Sequence, residues 1–233
     1  MRFAVLQFGG SNCDQDAHHV IEDVCGVDCD LVWYKEGFSR SYDAIVIPPG
    51  GFSYGDYLRA GAIATRTPVM QDVRQHAAAG GLVLGICNGA QIGAESGLIP
   101  GVFTINEYPK FICEGVYLKV ENASSPFTSR YTKGDVIRIP IAHKEGRYVA
   151  EEGVPPQRLL DEGRVAFRFC DATGNCTPES NPNGSTLNIT GVLGEDQNVL
   201  LMMPHPERAS ESVLGSEDGK KLFDSMIDYC ERR

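Results

Sequence analysis

The sequence has no long hydrophobic run and no extended cluster of basic residues. Every apolar stretch is broken by glycine, proline or charge far short of the ~20 residues that cross a bilayer, which excludes a transmembrane helix. No basic run is longer than two residues, and the formal net charge is −10. A large nucleic-acid surface is therefore excluded, because phosphate binding requires clustered lysine and arginine.

The sequence also lacks metal-site spacing and a secretion signal. Cys25 and Cys29 lie four positions apart, but no second Cys or His pair follows at a matching interval. The opening residues, MRFAVLQFGG, form too short an apolar segment for a signal peptide, and no small-residue cleavage site follows. We therefore expect a cytoplasmic protein with free cysteines and no bound metal.

What is present is the pattern of an α/β protein of 233 residues. The first hundred residues alternate strand-like and helix-like segments, which is typical of parallel βαβ units. The predicted strands are 2–8, 30–33, 44–47 and 81–86, and a helix is predicted over about 14–25.

The second half of the chain is rich in strands. They are predicted over 115–120, 135–141, 164–169, 187–193 and 199–203, and a final helix over 217–232. We expect one domain over residues 1–233, with a mostly parallel central sheet, helices on both faces and an antiparallel strand extension. Two smaller domains are the alternative.

Cys87 stands at the junction between a predicted buried strand and a predicted helix, in GGLVLGICNGAQIGAESGL. Open α/β sheets bind ligands at the carboxyl ends of strands, and a helix start favours the thiolate that attacks a substrate. Gly85 and Gly89 complete a G-x-C-x-G pattern like the nucleophile elbow of hydrolases. We predict a nucleophile; the alternative is a buried cysteine packed between two turns.

His205 and Glu207 follow another predicted strand, in LLMMPHPERA. Because Pro206 favours extended backbone at the residue before it, the side chains of His205 and Glu207 share a face and the carboxylate can orient the imidazole. A thiol nucleophile needs such a base. His143 and Glu145, in IAHKEGRY, repeat the spacing without the prolines and form the second candidate pair.

A glycine-rich loop, PPGGFSYGDYLRAGA, follows the strand predicted over 44–47. It lacks the lysine of a phosphate-binding loop, which disfavours nucleotide binding. Backbone N–H groups can instead stabilise the oxyanion that forms during acyl transfer. We predict that Gly51 and Asn88, the residue after the nucleophile, donate them.

A set of motifs along almost the whole chain resembles one enzyme family. In chain order they are LQFGGSNCDQD, PGGFSYGDYLRAGA, GICNGAQI, GLIPG, IAHKEGRY, NPNGS and MMPHPERA. The chain resembles the class I (triad-type) glutamine amidotransferases, most closely the family of stand-alone glutaminase subunits of phosphoribosylformylglycinamidine synthase. Lys144 departs from that family, in which a smaller residue is usual.

The resemblance implies a flavodoxin-like fold and a role in purine biosynthesis. It implies that Cys87 attacks the side-chain amide of glutamine with support from His205 and Glu207, and that Gly50 and Gln91 contact the substrate. The ammonia would pass to a large synthetase subunit that converts formylglycinamide ribonucleotide to formylglycinamidine ribonucleotide, and a small bridging subunit would complete the complex. No cofactor is implied in this subunit, whereas ATP and Mg²⁺ are expected in the partner synthetase.

Two other functions fit parts of the sequence. A cysteine peptidase of the PfpI type would share the G-x-C-x-G elbow, but it would need neither PHPE nor the FSYGDYLRAG loop. A catalytically idle binding subunit predicts loss of Cys87, His205 or Glu207, and all three are present.

Overall fold

A nine-stranded sheet forms the centre of the protein, in a computed structural model that describes residues 1–52 and 56–233. Residues 53–55 of the predicted glycine-rich loop lie outside the described residues. The strands are β1 (Arg2–Gln7), β2 (Asp28–Trp33), β3 (Ala44–Ile47), β4 (Leu82–Ile86), β5 (Val102–Thr104), β6 (Ile112–Val120), β7 (Val136–His143), β8 (Arg147–Val149), β9 (Val165–Cys170), β10 (Ile189–Leu193) and β11 (Val199–Met202). The α-helices are α1 (Asp14–His19), α2 (Pro68–Ala78), α3 (Asn88–Glu95), α4 (Pro156–Asp161) and α5 (Lys220–Glu231).

The first half of the sheet is parallel and the second half is antiparallel. The strand order is β2-β1-β3-β4-β11-β10-β9-β6-β7, and the pairs from β2 to β11 are all parallel. Every residue of β3 and β4 is buried, as expected for strands covered on both faces. The predicted sheet with an antiparallel extension is confirmed.

Helices cover both faces because two crossover connections run in opposite directions along the sheet. The β1–α1–β2 crossover runs towards one edge of the sheet, and the β3–α2–β4 crossover runs towards the other. Since such crossovers are almost always right-handed, opposite directions place the helices on opposite faces. α3 packs on β4 and β11. Since β11 lies beyond β4 in the same direction as β4 lies beyond β3, the same handedness rule places α3 on the face that α2 covers.

Several predicted boundaries shift for local reasons. The first predicted helix is α-helical only to His19 and continues as a π-helix over Val20–Val24. The strand predicted from residue 187 begins at Ile189, because Leu187 has a φ of 50°, which no strand adopts. β5 and β8, which form a separate two-stranded sheet, were not predicted because three residues show no clear period.

Two further predictions, on membrane-spanning helices and on free cysteines, can be compared with the structure. Within the described ranges, no helix is long and apolar enough to cross a membrane. All eight cysteines are free thiols, as predicted.

Candidate active site

Three neighbouring parallel strands end at the same edge of the sheet, and each leads into a predicted site segment. Ile47 of β3 pairs with Gly85 of β4, and Ile86 of β4 pairs with Met202 of β11. The glycine-rich loop, Cys87 and His205 therefore begin side by side. The backbone amide of Cys87 also donates to the carbonyl of Met202 at 2.8 Å, which joins the two catalytic segments directly.

Cys87 has the strained backbone of a nucleophile elbow. Its φ is 51° and its ψ is −109°, a conformation that residues other than glycine rarely adopt, and α3 begins at the next residue. The side chain is buried, and the thiol donates to the carbonyl of Ala142 at 3.6 Å. The turn thus holds the sulfur at the carboxyl end of β4, as the G-x-C-x-G pattern predicts.

The two glycines of the pattern are needed because their surroundings leave no space for a side chain. A Cβ atom on Gly89 would lie 1.9 Å from the carbonyl oxygen of Ile47, and one on Gly85 would lie 2.9 Å from the carbonyl oxygen of Gly89. Both neighbours are backbone atoms, which cannot rotate away. Close packing of the elbow against β3 therefore fixes the position of Cys87.

We expect Gly89→Ala to lower kcat for glutamine hydrolysis by on the order of 100-fold, because the elbow must move to admit the methyl group. Steady-state kinetics of ammonia release check this. Gly153→Ala is the control, since Gly153 also has a positive φ of 81° but has nothing within 4 Å of a Cβ. It should lower stability by about 1 kcal/mol and leave kcat unchanged. Equal kcat values for the two variants would contradict the prediction.

His205 and Glu207 form a buried hydrogen-bonded pair. Nδ1 of His205 lies 2.6 Å from Oε1 of Glu207, and both side chains are almost completely inaccessible. Burial by itself would lower the pKa of His205, but the negative charge of Glu207 and the nearby thiols of Cys87 and Cys13 raise it well above its ordinary value. Nε2 has no hydrogen-bond partner among the described residues. The imidazole is therefore oriented by Glu207 through one nitrogen and can accept a proton at the other.

A cavity of about 210 Å³ opens beside Cys87. Its lining residues come from the glycine-rich loop, from α3 and from the segments around residues 111 and 142–145. They are Gly50, Gly51, Phe52, Cys87, Gln91, Phe111, Ala142, His143, Lys144 and Glu145. The cavity thus brings together the predicted nucleophile and the predicted substrate-binding residues.

His143, in the second candidate pair, lies in this cavity wall but lacks the arrangement of a base. Both ring nitrogens are buried without a hydrogen-bond partner in the described part of the chain, and Glu145 does not orient the ring. Burial, followed by the neighbouring His205, lowers the pKa of His143 to about 4. A neutral imidazole of such low basicity is a poor acceptor for a thiol proton, so the geometry favours His205.

Gln91 and Gly50 sit where a substrate in the cavity would touch them. The side-chain Nδ2 of Asn88 donates to Oε1 of Gln91 at 2.9 Å, and Nε2 of Gln91 donates to the carbonyl of Glu145. These two hydrogen bonds align the Gln91 side chain. Gly50 pairs with Ser11 in an isolated bridge, and a Cβ on it would lie 2.4 Å from the carbonyl oxygen of Gly10. Their contact with substrate stays a prediction.

The two predicted oxyanion donors belong to different segments of the site. Asn88 is the first residue of α3 and directly follows Cys87. The amide of Gly51 donates to the carbonyl of Gly10 at 2.7 Å. The predicted role of Gly51 therefore requires this hydrogen bond to break, and it stays a prediction.

Asn106 links the wall of the cavity to a neighbouring loop, and sequence reasoning missed it. Its buried side chain donates to the carbonyls of His143 and Lys110, both at 3.2 Å, and accepts from the amide of Gly146 at 3.0 Å. The backbone amide of Asn106 donates to the carbonyl of Lys144 at 2.9 Å. No sequence pattern marks such a residue, because its partners at the cavity wall, His143 and Gly146, lie 37 and 40 positions away.

Cys13 and Arg208 also lie at the site, although the sequence indicates only an ordinary buried cysteine at position 13. The Cys13 sulfur, a His205 nitrogen and a Glu207 oxygen lie within 4.8 Å of one another. The guanidinium of Arg208 donates to the same sulfur. The available signal was position, since Cys13 follows β1, whose carboxyl end lies at the same sheet edge as those of β3 and β4.

Comparison with known proteins bears on the family. The model of the CobB/CobQ-like glutamine amidotransferase domain matches residues 1–230. The chain is 57% identical over 230 residues to "Phosphoribosylformylglycinamidine synthase subunit PurQ" of Methanosarcina acetivorans, covering 98% of each chain. It is 51% identical over 232 residues to the protein of the same name from Methanocaldococcus jannaschii, covering 100% of both. A solved structure, "Structure of PurLQS from Thermotoga maritima", matches with a TM-score of 0.85 and 42% identity over 98% of each chain.

Proposed function

The chain belongs to the CobB/CobQ-like glutamine amidotransferase family, and from this membership we propose that it is the glutaminase subunit of a phosphoribosylformylglycinamidine synthase. It hydrolyses L-glutamine to glutamate and delivers the ammonia to a partner synthetase. That partner uses ATP to convert formylglycinamide ribonucleotide to formylglycinamidine ribonucleotide in purine biosynthesis. The full-length similarity to proteins of that name, at 51–57% identity, supports the proposal.

One structural arrangement carries the reaction: Cys87 lines a cavity that has room for a small substrate, and it is close enough to the buried His205–Glu207 pair to raise the pKa of His205. In the first step His205 takes the thiol proton, and the sulfur attacks the carboxamide carbon of glutamine. The oxygen of the tetrahedral intermediate becomes an oxyanion, for which the amides of Asn88 and Gly51 are the proposed donors.

The second half of the reaction regenerates the thiol. His205 passes its proton to the amide nitrogen, the carbon–nitrogen bond breaks, and ammonia leaves a glutamyl thioester on Cys87. Water then gives a proton to His205 and attacks the thioester, the carbon–sulfur bond breaks to release glutamate, and His205 returns the proton to the sulfur of Cys87. Glu207 keeps the imidazole in the orientation that both proton transfers need.

Exposed apolar side chains at the cavity mouth support a docking face for the synthetase there. Phe111 lines the cavity yet is 65% exposed, and Tyr57, whose ring lies 6.2 Å from that of Phe52, is 82% exposed. Leu58, which follows Tyr57 in the chain, and Tyr108, three positions before Phe111, are exposed as well. Large exposed aromatic residues next to a site mark protein interfaces, and ammonia transfer requires the partner at this opening.

We infer the composition of the complex from the name of the similar solved structure, PurLQS, which gives PurL and PurS together with PurQ. The large synthetase subunit corresponds to PurL and the small bridging subunit to PurS. ATP and Mg²⁺ belong to the synthetase in this proposal, and the chain itself carries no cofactor. We place the complex in the cytoplasm, where purine precursors are made.

The test is reconstitution with the large and small subunits. The complete complex should form formylglycinamidine ribonucleotide from glutamine, with one glutamate released for each product. The chain alone should release ammonia at least about 100-fold more slowly, because the Gly51 amide is still bonded to the Gly10 carbonyl. A complex that accepts free ammonia but never glutamine would refute the proposed function. Equal rates with and without partners would refute the role of Gly51.

A further inference from the structure

Cys13, His205, Glu207 and Arg208 form a cluster next to the cavity, and none of the four lines it. A thiol, an imidazole and a carboxylate within 4.8 Å of one another make a donor set like that of a zinc site. Here, however, a cation of the protein is already present. Arg208 donates through Nη2 to the sulfur of Cys13, and its Nε lies 3.7 Å from Oε1 of Glu207. The guanidinium therefore supplies the positive charge that a metal would otherwise bring.

The charge of Glu207 explains why a cation is needed. Its side chain is fully buried; Oε1 is bonded to His205, and Oε2 has no hydrogen-bond partner among the residues described. A buried carboxylate is costly unless a positive charge is close. While His205 is protonated, the imidazolium supplies that charge. Once His205 has passed its proton to the leaving nitrogen, the imidazole is neutral and the carboxylate needs another partner.

We propose that Arg208, held in place by Cys13, is a positioning residue that compensates the charge of Glu207 at the steps in which His205 is neutral. The inference rests on the proposed function and extends it to two residues behind the triad. Arg208 suits this role because its planar guanidinium can contact the sulfur and the carboxylate at the same time. Cys13 in turn donates to Oδ1 of Asn12 at 3.3 Å, which fixes its own orientation.

The pH dependence follows from the charges around the cluster. His205 faces Glu207, Cys87, Cys13 and His143, and Arg208 also faces Asp16. Removal of the Arg208 cation makes these neighbours hold their protons more tightly, since each loses a nearby positive charge. The acid limb of the pH–rate profile must therefore move to higher pH. KM for glutamine should change little, because Arg208 does not line the cavity.

The experiment measures kcat and KM for glutamine against pH in the reconstituted complex carrying Arg208→Met or Arg208→Lys. Mutation of the residues that orient a functional histidine, studied best for histidines that bind metals, typically lowers activity by about 10- to 100-fold. We therefore expect kcat of Arg208→Met to fall about 10-fold near pH 7. Its acid limb should shift to higher pH, with KM within about 2-fold of the wild-type value. Arg208→Lys keeps the charge and should keep the wild-type limb, with a smaller loss of kcat.

Arg158→Met is the matched control, because Arg158 forms an exposed ion pair with Glu162 and neither residue lines the cavity. It should behave as wild type. Thermal unfolding of each variant reports folding, and Arg208→Lys keeps the test decisive if Arg208→Met does not fold. A wild-type pH profile for Arg208→Met, or a lysine variant shifted in pH as far as the methionine variant, would overturn the inference. A Cys87→Ala complex that still hydrolyses glutamine would overturn the proposed function instead, so the two failures are distinct.

Discussion

Replacement of Cys87 by alanine is expected to lower glutamine-dependent synthesis by the complex by at least about 1,000-fold, because among the described residues that line the cavity Cys87 is the thiol that can form the thioester. Synthesis from free ammonia should persist, since the synthetase does not need the glutaminase chemistry. The ratio of the two activities is the measurement. Addition of wild-type chain separates loss of catalysis from loss of assembly. A Cys87→Ala chain that still docks competes with the wild-type chain and slows recovery of the glutamine response, whereas a chain that fails to dock does not compete.

Covalent labelling gives an independent check on the nucleophile. A glutamine analogue with an electrophilic carbon should modify Cys87 and no other thiol, as mapped by mass spectrometry of proteolytic fragments. Cys13 is the sharpest internal comparison, because it is buried next to the same His205 but does not line the cavity. Exposed Cys113 tests simple accessibility. An adduct on Cys13 or Cys113 in place of Cys87 would refute the assignment.

His205→Ala should lower kcat for glutamine hydrolysis by about 1,000-fold, within the range that a positioned general acid–base supplies. The physical reason is that His205 takes and returns the proton in both halves of the reaction, with its orientation fixed by the 2.6 Å contact to Glu207. Ammonia release in the complete complex is the measurement. The alanine variant should also react slowly with the electrophilic glutamine analogue, because the thiol then lacks its base.

His143→Ala is the comparison that separates the two candidate bases. His143 lines the cavity with two unpartnered ring nitrogens, and burial lowers its pKa to about 4, so it stays neutral throughout the working pH range. We expect its loss to raise KM more than it lowers kcat, the signature of a side chain that contacts substrate without moving protons. If His143→Ala abolished turnover while His205→Ala retained it, the assignment of the base would be wrong.

The βαβ alternation and the antiparallel strands in the second half were predicted from the sequence, because periodicity reports which faces of each segment are buried. Very short elements were missed for the same reason. β5 and β8 have three residues each and α4 has six, so each is shorter than the stretch in which a period can be recognised, about four to eight residues for a strand and about eleven for a helix. Some observed ends of elements also differ from the predicted ones because of a single backbone angle, as at Leu187, whose positive φ ends the possible strand before β10.

The prediction of the site depended on local signals of unusual strength. Gly85 and Gly89 around Cys87 permit a crowded turn that side chains would obstruct, and the prolines around His205 restrict the backbone beside the base. No such signal surrounds Asn106 or Cys13, because their importance comes from partners in other segments. The carbonyl that accepts from the Gly51 amide belongs to Gly10, which likewise no local pattern indicates.

By itself, then, the sequence determined the fold class, the elbow at Cys87 and the pairing of His205 with Glu207, since all of these depend on residues close together in the chain. The extended backbone predicted through Glu207 is wrong, because Pro206 starts a 3₁₀-helix over Pro206–Ala209. The tertiary structure alone decided that β4 and β11 are neighbours, and hence that the pair meets this cysteine. The tertiary structure also placed Arg208 against Cys13. In addition, it placed His143 in the cavity wall. The reason is physical: short-range sterics and hydrophobic period act along the chain, whereas strand order and charge compensation arise only when distant segments pack together.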